Sequence, residues 1–269
     1  MSRRSRSWEC RVRTDCPAWA PPLLAMQFLT RVPVPGVASL SREAAMEGLR
    51  RAVIWFPLVG SLVGAVTALT IVLAEQLWTR IVAVLIALAV EARMTGAFHE
   101  DAVADFCDGI GGGRNPEHAR EIMKDSRIGT FGALALLLFV GMRATLTWTL
   151  PEQILIAAVI GAATFARLVA VMLMTAVAPV SGSSTLAKDV GGRAPMKFAI
   201  LAFALAIPGL LPLAWMSPLR LLGALAAAAL FLLWFQRLLR EKVGGSTGDC
   251  LGFAAYACQL LVLLAASAA

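Results

Sequence analysis

Residues 154–178 read ILIAAVIGAATFARLVAVMLMTAVA, twenty-five positions in which Arg167 is the sole charge. At about 1.5 Å per residue, a helix this long exceeds the roughly 30 Å hydrocarbon core of a bilayer. The whole chain of 269 residues agrees with that reading: 59% of it is hydrophobic and its mean hydropathy is +0.76. Soluble domains are only about half apolar. Comparable apolar runs lie near 53–73, 81–98, 130–150, 197–215, 219–236 and 250–268. The sequence therefore predicts an all-α polytopic transmembrane helix bundle of about seven spans. Pro212 and Pro218 punctuate the 197–236 region, which reads either as two spans or as one broken hairpin.

Orientation follows from the 24 basic residues. Nine precede residue 52, four lie in 99–129, three in 179–197 and three in 237–249. With seven spans these segments all fall on one face, and the positive-inside rule makes it the cytoplasmic face, with the N-terminus on the same side. The opposite loops, around Glu75 to Arg80, Pro151 to Gln153 and Ser217 to Arg220, are short and poor in basic residues. The net charge of +7 thus reports topology, and no basic or aromatic nucleic-acid motif accompanies it. Residues 1–27, with Arg3, Arg4, Arg6, Arg11 and Arg13, are expected to be a basic, disordered tail, Met26 offering an alternative start. Residues 28–269 then form one integral-membrane domain. The five cysteines show no metal-binding spacing and are expected to be reduced.

Chemistry gathers in the stretch His99-Glu100-Asp101-Ala102-Val103-Ala104-Asp105-Phe106-Cys107-Asp108, expected just beyond the second span. On a helix Asp101, Asp105 and Asp108 share an arc of about 60°. Carboxylates so close repel unless a cation sits among them, and magnesium, an oxygen-seeking ion held by a few carboxylates and substrate phosphates, suits the pattern. Glu100 is the fourth acid of the candidate metal set. Glycines 109 and 111–113 are expected to end the helix and, at Gly111 and Gly112, to offer backbone N–H groups to phosphate, although no P-loop pattern is present.

Lys124, Asp125 and Arg127 precede the third span; the two cations suit a diphosphate, with Asp125 orienting one, and the competing reading is an interfacial anchor. Ser181 to Asp189 is either a ligand-closing loop or a plain connection. Thr247 and Asp249, after a glycine-rich turn, are candidates for substrate contact or for a helix cap. His99 is a candidate proton carrier. Glu91, Arg143 and Arg167 lie within spans, where an unpaired charge costs at least about 2.5–3.5 kcal/mol. Glu91 is expected to pair with Arg143 or Arg167, and Arg167 otherwise to line an anionic-substrate cavity.

Together these residues resemble the bacterial cobalamin synthase family, adenosylcobinamide-GDP ribazoletransferase. The matching blocks are Phe28-Leu29-Thr30-Arg31-Val32-Pro33-Val34-Pro35, Phe56-Pro57-Leu58-Val59-Gly60, the His99–Gly113 block, Glu121–Leu136 and Gly244–Gly252. Ala102 stands where the family commonly has glycine, and Gln259 where it commonly has an acid. The resemblance implies a magnesium-dependent, membrane-embedded transferase that joins adenosylcobinamide-GDP to α-ribazole, or its 5′-phosphate, late in vitamin B12 assembly, releasing GMP. On that reading Glu100, Asp101, Asp105 and Asp108 hold magnesium, and Asp105 or His99 takes the proton of an attacking 5′-hydroxyl. Lys124 and Arg127 stabilise the phosphoryl charge, while Asp125, Gly111, Gly112, Arg167, Thr247 and Asp249 contact substrate. The partners implied are the two substrates and membrane lipid, with a homo-oligomer left open. The alternatives are a CDP-alcohol-type lipid head-group phosphotransferase, whose DG-x2-AR signature is missing, and a cation transporter, whose acids belong at mid-span.

Overall fold

A computed structural model describes residues 16–180 and 193–268, and among them all regular structure is helical. Helix α1 is Ala20–Leu29, and α2 is Arg42–Ala52, started by Ser41, whose side chain accepts the N–H of Ala44. A 3-10 turn at Val53–Trp55 joins α2 to α3, Phe56–Ala74, as a single 33-residue rod. Then follow α4 (Arg80–Thr95), α5 (Phe98–Gly112), α6 (Pro116–Met123), α7 (Thr130–Thr149) and α8 (Glu152–Ala176). The last three are α9 (Met196–Met216), α10 (Pro218–Lys242) and α11 (Gly248–Ser267). Among the described residues six helices are long and apolar enough to cross a membrane, namely α3, α7, α8, α9, α10 and α11. Pro208 and Pro212 both lie inside α9, and Pro218 starts α10, so the proline-rich region forms two spans.

The seventh crossing is made by two helices. At the start of α4, Arg80 pairs with Glu75 beyond α3 and donates to the carbonyl of Leu150 beyond α7. At the far end of α5, Asp108 receives backbone amides from the start of α7. The α4–α5 pair therefore runs the length of α7 in the opposite direction as one span, bent by 86°. The bend is Gly96 and Ala97, with φ of 75° and 57°. Glycine adopts that conformation freely, whereas in alanine it costs roughly 1–2 kcal/mol. This corrects the sequence expectation in one respect: the aspartates stand on the second limb of a broken span, not beyond the end of it. A break of this kind is tolerated where the backbone is buried in protein, and α5 is packed between α7 and α11.

Helix α8 is the axis of the bundle. Its span is 83% buried, against 22% for α7 and for α10, which turn their leucines to lipid. It lies directly against α3, because Gly60 and Gly64 remove the side chains between them. A Cβ at Gly60 would stand 2.5 Å from the carbonyl oxygen of Ala163, and one at Gly64 would stand 2.8 Å from Cα of Ile160. Small residues four apart let helix backbones approach where no hydrophobic force drives them together.

The ends of the helices segregate by charge as expected. Arg114, Arg120, Lys124, Arg127, Arg193, Arg240 and Lys242 lie at one end, with the starts of α7 and α11; Glu75, Arg80, Glu152 and Arg220 lie at the other. Arg120 of α6 closes the basic end by donating to the carbonyl of Val243 after α10. The boundary placed at residue 28 is not where order begins: α1 starts at Ala20 and buries Ala20, Leu24, Ala25 and Leu29. Residues 1–15 and the Ser181 to Asp189 stretch lie outside the described residues.

Candidate active site

Asp108 is buried, and both its oxygens are used: Oδ2 accepts from the N–H of Gly129 at 2.7 Å and Oδ1 from that of Gly132 at 2.8 Å. It thus caps the N-terminus of α7 from a neighbouring helix, where a negative charge is also favoured by the helix dipole. Gly129 and Gly132 are glycines because a Cβ at either would collide with this carboxylate. This capping role is what the structure shows for Asp108, and a metal-ligand role would be additional to it. Glu100 is turned toward the interior, with Oε1 3.5 Å from Nη1 of Arg143.

Asp101 and Asp105 remain, one exposed and one half-buried, on the same face of α5. A third acid joins them. Asp249, in the first turn of α11, lies close enough for its charge to repel those of Asp101 and Asp105. Thr247 caps α11 by accepting the N–H of Cys250, and its hydroxyl reaches Oδ2 of Asp249 at 3.3 Å. The cap reading and the site reading of this turn are therefore both realised, by different residues. The α5–α11 contact that sets the spacing is Ala102 against Gly252, where a Cβ on the glycine would overlap that of the alanine. Among the described residues no basic side chain pairs with Asp101, Asp105 or Asp249, and no three His, Cys, Asp or Glu side chains already converge as a metal cage.

Deeper, Glu91 of α4 receives Nη2 of Arg143 at 2.5 Å and the hydroxyl of Thr67 at 2.6 Å. Arg143 also lies over the ring of Tyr256, 5.5 Å from its centroid. Of the two partners open to Glu91 in the sequence, Arg143 is the one used. Arg167 is left over. It is 2% exposed, its Nε makes no hydrogen bond, and Nη1 reaches only the carbonyl of Ala163, at 3.4 Å. Arg167 lines a cavity of about 260 Å³ together with His99, which makes no hydrogen bond among the described residues, and with Phe28, Phe56 and Phe98.

The loop residues are placed differently from the expectation. Arg127 forks onto Asp125, with Nη2 to Oδ2 at 2.6 Å and Nε to Oδ1 at 3.1 Å, and the guanidinium holds the Asp125 carboxyl down to about 2. Lys124 is exposed at the end of α6. Gly111 and Gly112 lie inside α5, so their amides are spent in the helix instead of facing a phosphate. The glycine block serves packing: a Cβ at Gly109 would meet Met123 at 2.5 Å, and one at Gly111 would enter the ring of Phe131. The sequence carried no signal for the break at Gly96–Ala97. The acid that completes the surface group was visible only as the first residue after a glycine turn.

Comparison with known proteins gives the family. The cobalamin-5-phosphate synthase family matches residues 21–267. The protein named adenosylcobinamide-GDP ribazoletransferase in Leptothrix cholodnii is 39% identical over 254 residues, covering 90% of this chain and 92% of that one. The proteins of that name in Vibrio cholerae and Ralstonia pickettii are each 37% identical, covering 90% and 91% of this chain and 91% and 94% of theirs. No solved structure matches. A match running from α1 to the end of α11 leaves the lipid phosphotransferase and transporter readings without support, and the chain belongs to the cobalamin-5-phosphate synthase family.

Proposed function

We propose that this membrane protein transfers the cobinamide-phosphate group of adenosylcobinamide-GDP to the ribose of α-ribazole or its 5′-phosphate, releasing GMP, with its acidic and basic end on the cytoplasmic side of an inner membrane. The observation that carries the reading is the unpaired group Asp101, Asp105 and Asp249 at the basic end, in a chain whose relatives bear the name of that activity.

Three mutually repelling carboxylates without a basic partner fit a divalent cation, and their oxygens fit magnesium. An incomplete protein cage suits it as well, because magnesium keeps waters and takes its remaining ligands from substrate phosphates. Asp101, Asp105 and Asp249 would hold it, and when bound it offsets charge on the diphosphate oxygens. Asp108 keeps the start of α7 against α5, and so sets where the basic loop of Lys124 and Arg127 stands relative to the acids. Lys124 and Arg127 bind the anionic donor, Arg127 by exchanging Asp125 for phosphate.

The family's name supports an attacking group other than the 5′-hydroxyl expected from sequence. A product that keeps a 5-phosphate comes from an acceptor whose 5′-oxygen is already phosphorylated, so the attacking group is another ribose hydroxyl. Its oxygen bonds to the phosphorus that carries cobinamide, the bond to the bridging oxygen breaks, and GMP leaves with the electron pair. His99 accepts the hydroxyl proton, being buried at the cavity beside the acids with no competing hydrogen bond among the described residues. Positioning and electrostatics supply most of the rate, as in phosphoryl transfer generally.

The test is direct. Purified protein in detergent should release GMP only when both substrates and magnesium are present. Release from adenosylcobinamide-GDP alone, or equal rates after chelation, would refute the reading.

A further inference from the structure

Arg167 is the unsolved charge in this bundle. The two acids whose charges it feels inside the membrane, Glu91 and Glu100, are both paired with Arg143. A guanidinium that is 2% exposed, with Nε unpaired, is costly to keep unless something enters to meet it. The cavity it lines supplies the place. Its upper wall is aromatic: Phe28 stacks on Phe56 with centroids 5.6 Å apart and 7° between planes, and Phe98 meets the edge of Phe28 at 5.7 Å. Its far wall is the first turn of α11, at Gly248, Leu251 and Gly252. The cavity thus abuts the same turns of α5 and α11 that carry Asp101 and Asp249.

Size and polarity select the occupant. At about 260 Å³ the space is small for a ligand cavity, which commonly runs to about 300–1,000 Å³, so it excludes a corrin, and polarity decides between the two nucleotides. Guanine would also arrive with a row of amide donors and acceptors, and apart from His99 and Arg167 the walls are apolar. Buried polar groups without partners are strongly disfavoured, so such a wall selects against guanine. A benzimidazole is a flat bicyclic ring with an apolar edge, and α-ribazole is a benzimidazole ribonucleoside.

We infer that this cavity is the acceptor subsite, with the aromatic wall holding the benzimidazole ring and Arg167 pairing with the 5′-phosphate of the phosphorylated acceptor. The inference rests on the transferase reading above and adds to it the identity of the pocket and a reason for acceptor choice. His99 then lies in the same cavity as the ribose whose proton it takes.

The experiment compares α-ribazole 5′-phosphate with α-ribazole as acceptors, at saturating adenosylcobinamide-GDP and magnesium, for the full-length protein in detergent. Arg167→Gln should raise KM for the phosphorylated acceptor by at least about tenfold, because a charge-assisted pair is lost. It should leave KM for α-ribazole and for the donor near the wild-type values. Arg167→Lys should restore part of the preference. Phe98→Leu should weaken both acceptors alike and spare the donor, which gives a second readout if the Arg167 variants do not fold. A rise in donor KM, or an equal loss for both acceptors with Arg167→Gln, would overturn the assignment. If the wild type transfers to neither acceptor, the transferase reading itself has failed, and that outcome is distinct from either.

Discussion

Two sets of carboxylates share the second crossing, and they are treated in opposite ways. Glu91 and Glu100, on either side of the break, are bound to Arg143 in the interior, where Glu91 and Arg143 are each 4% exposed. Asp101 and Asp105, the next acids along the same helix, face Asp249 with no cation beside them among the described residues. One set is closed and the other open. In a medium where an unpaired charge costs several kcal/mol, an acid is retained either because it is matched or because its match arrives from outside. The contrast separates structural from functional acids more sharply than their spacing does, since all four lie within a stretch of fifteen residues.

Exchanging the two sets should exchange the phenotype. Glu91→Gln leaves Arg143 buried with Glu100 alone, at 3.5 Å, and breaking a buried pair costs about 3–5 kcal/mol. Its thermal midpoint in detergent should fall steeply and the yield of folded protein with it. Asp105→Asn should leave the midpoint unchanged or raise it, because a repulsion is removed, while GMP release drops by about 10²–10³-fold. A stable but inactive Glu91→Gln protein, or an unstable Asp105→Asn one, would erase the distinction.

How far this was legible in the sequence depends on what each residue answers to. The spans at 130–150, 154–178 and 250–268 are fixed by continuous apolar runs, and α7, α8 and α11 follow them closely. The second crossing was visible only as far as residue 98, because hydropathy reports no backbone angle. The positive φ at Ala97 stands where α5 turns in to pack between α7 and α11. Helical spacing put Asp101, Asp105 and Asp108 on one stripe, and it was right about the stripe. What it could not see is what stands opposite each position: glycine amides at Asp108, Asp249 at Asp105, Arg143 at Glu100. The glycine block misled for the same reason. Its glycines answer to Met123, Phe131 and Ala119 across a helix contact, which resembles a phosphate loop only when read along the chain.

Asp108 tests the boundary between the sets, being buried like Glu91 yet on the stripe of Asp105. As the cap of α7, its loss in Asp108→Ala should cost about 2 kcal/mol of stability, since two amides lose a charged acceptor. Asp108→Asn keeps one acceptor oxygen and should recover part of that loss along with most of the turnover. If instead Asp108→Asn keeps its thermal midpoint but abolishes magnesium-dependent GMP release, the carboxylate belongs with the open set after all.

The smallest effect is expected at Asp125, an acid paired at the surface outside the spans. Arg127 lowers its pKa to about 2 from the ordinary 3.8, so the pair's stabilisation is complete above about pH 4 and is lost only as pH falls toward 2. Both side chains are exposed, and such pairs contribute little. Asp125→Asn should therefore leave the thermal midpoint flat and unchanged from pH 5 to 8. It should also lower KM for adenosylcobinamide-GDP by about twofold, because Arg127 no longer has to release a carboxylate before meeting a phosphate. An unchanged KM would make Arg127 a membrane-surface anchor, and would leave Lys124 to meet the donor without it.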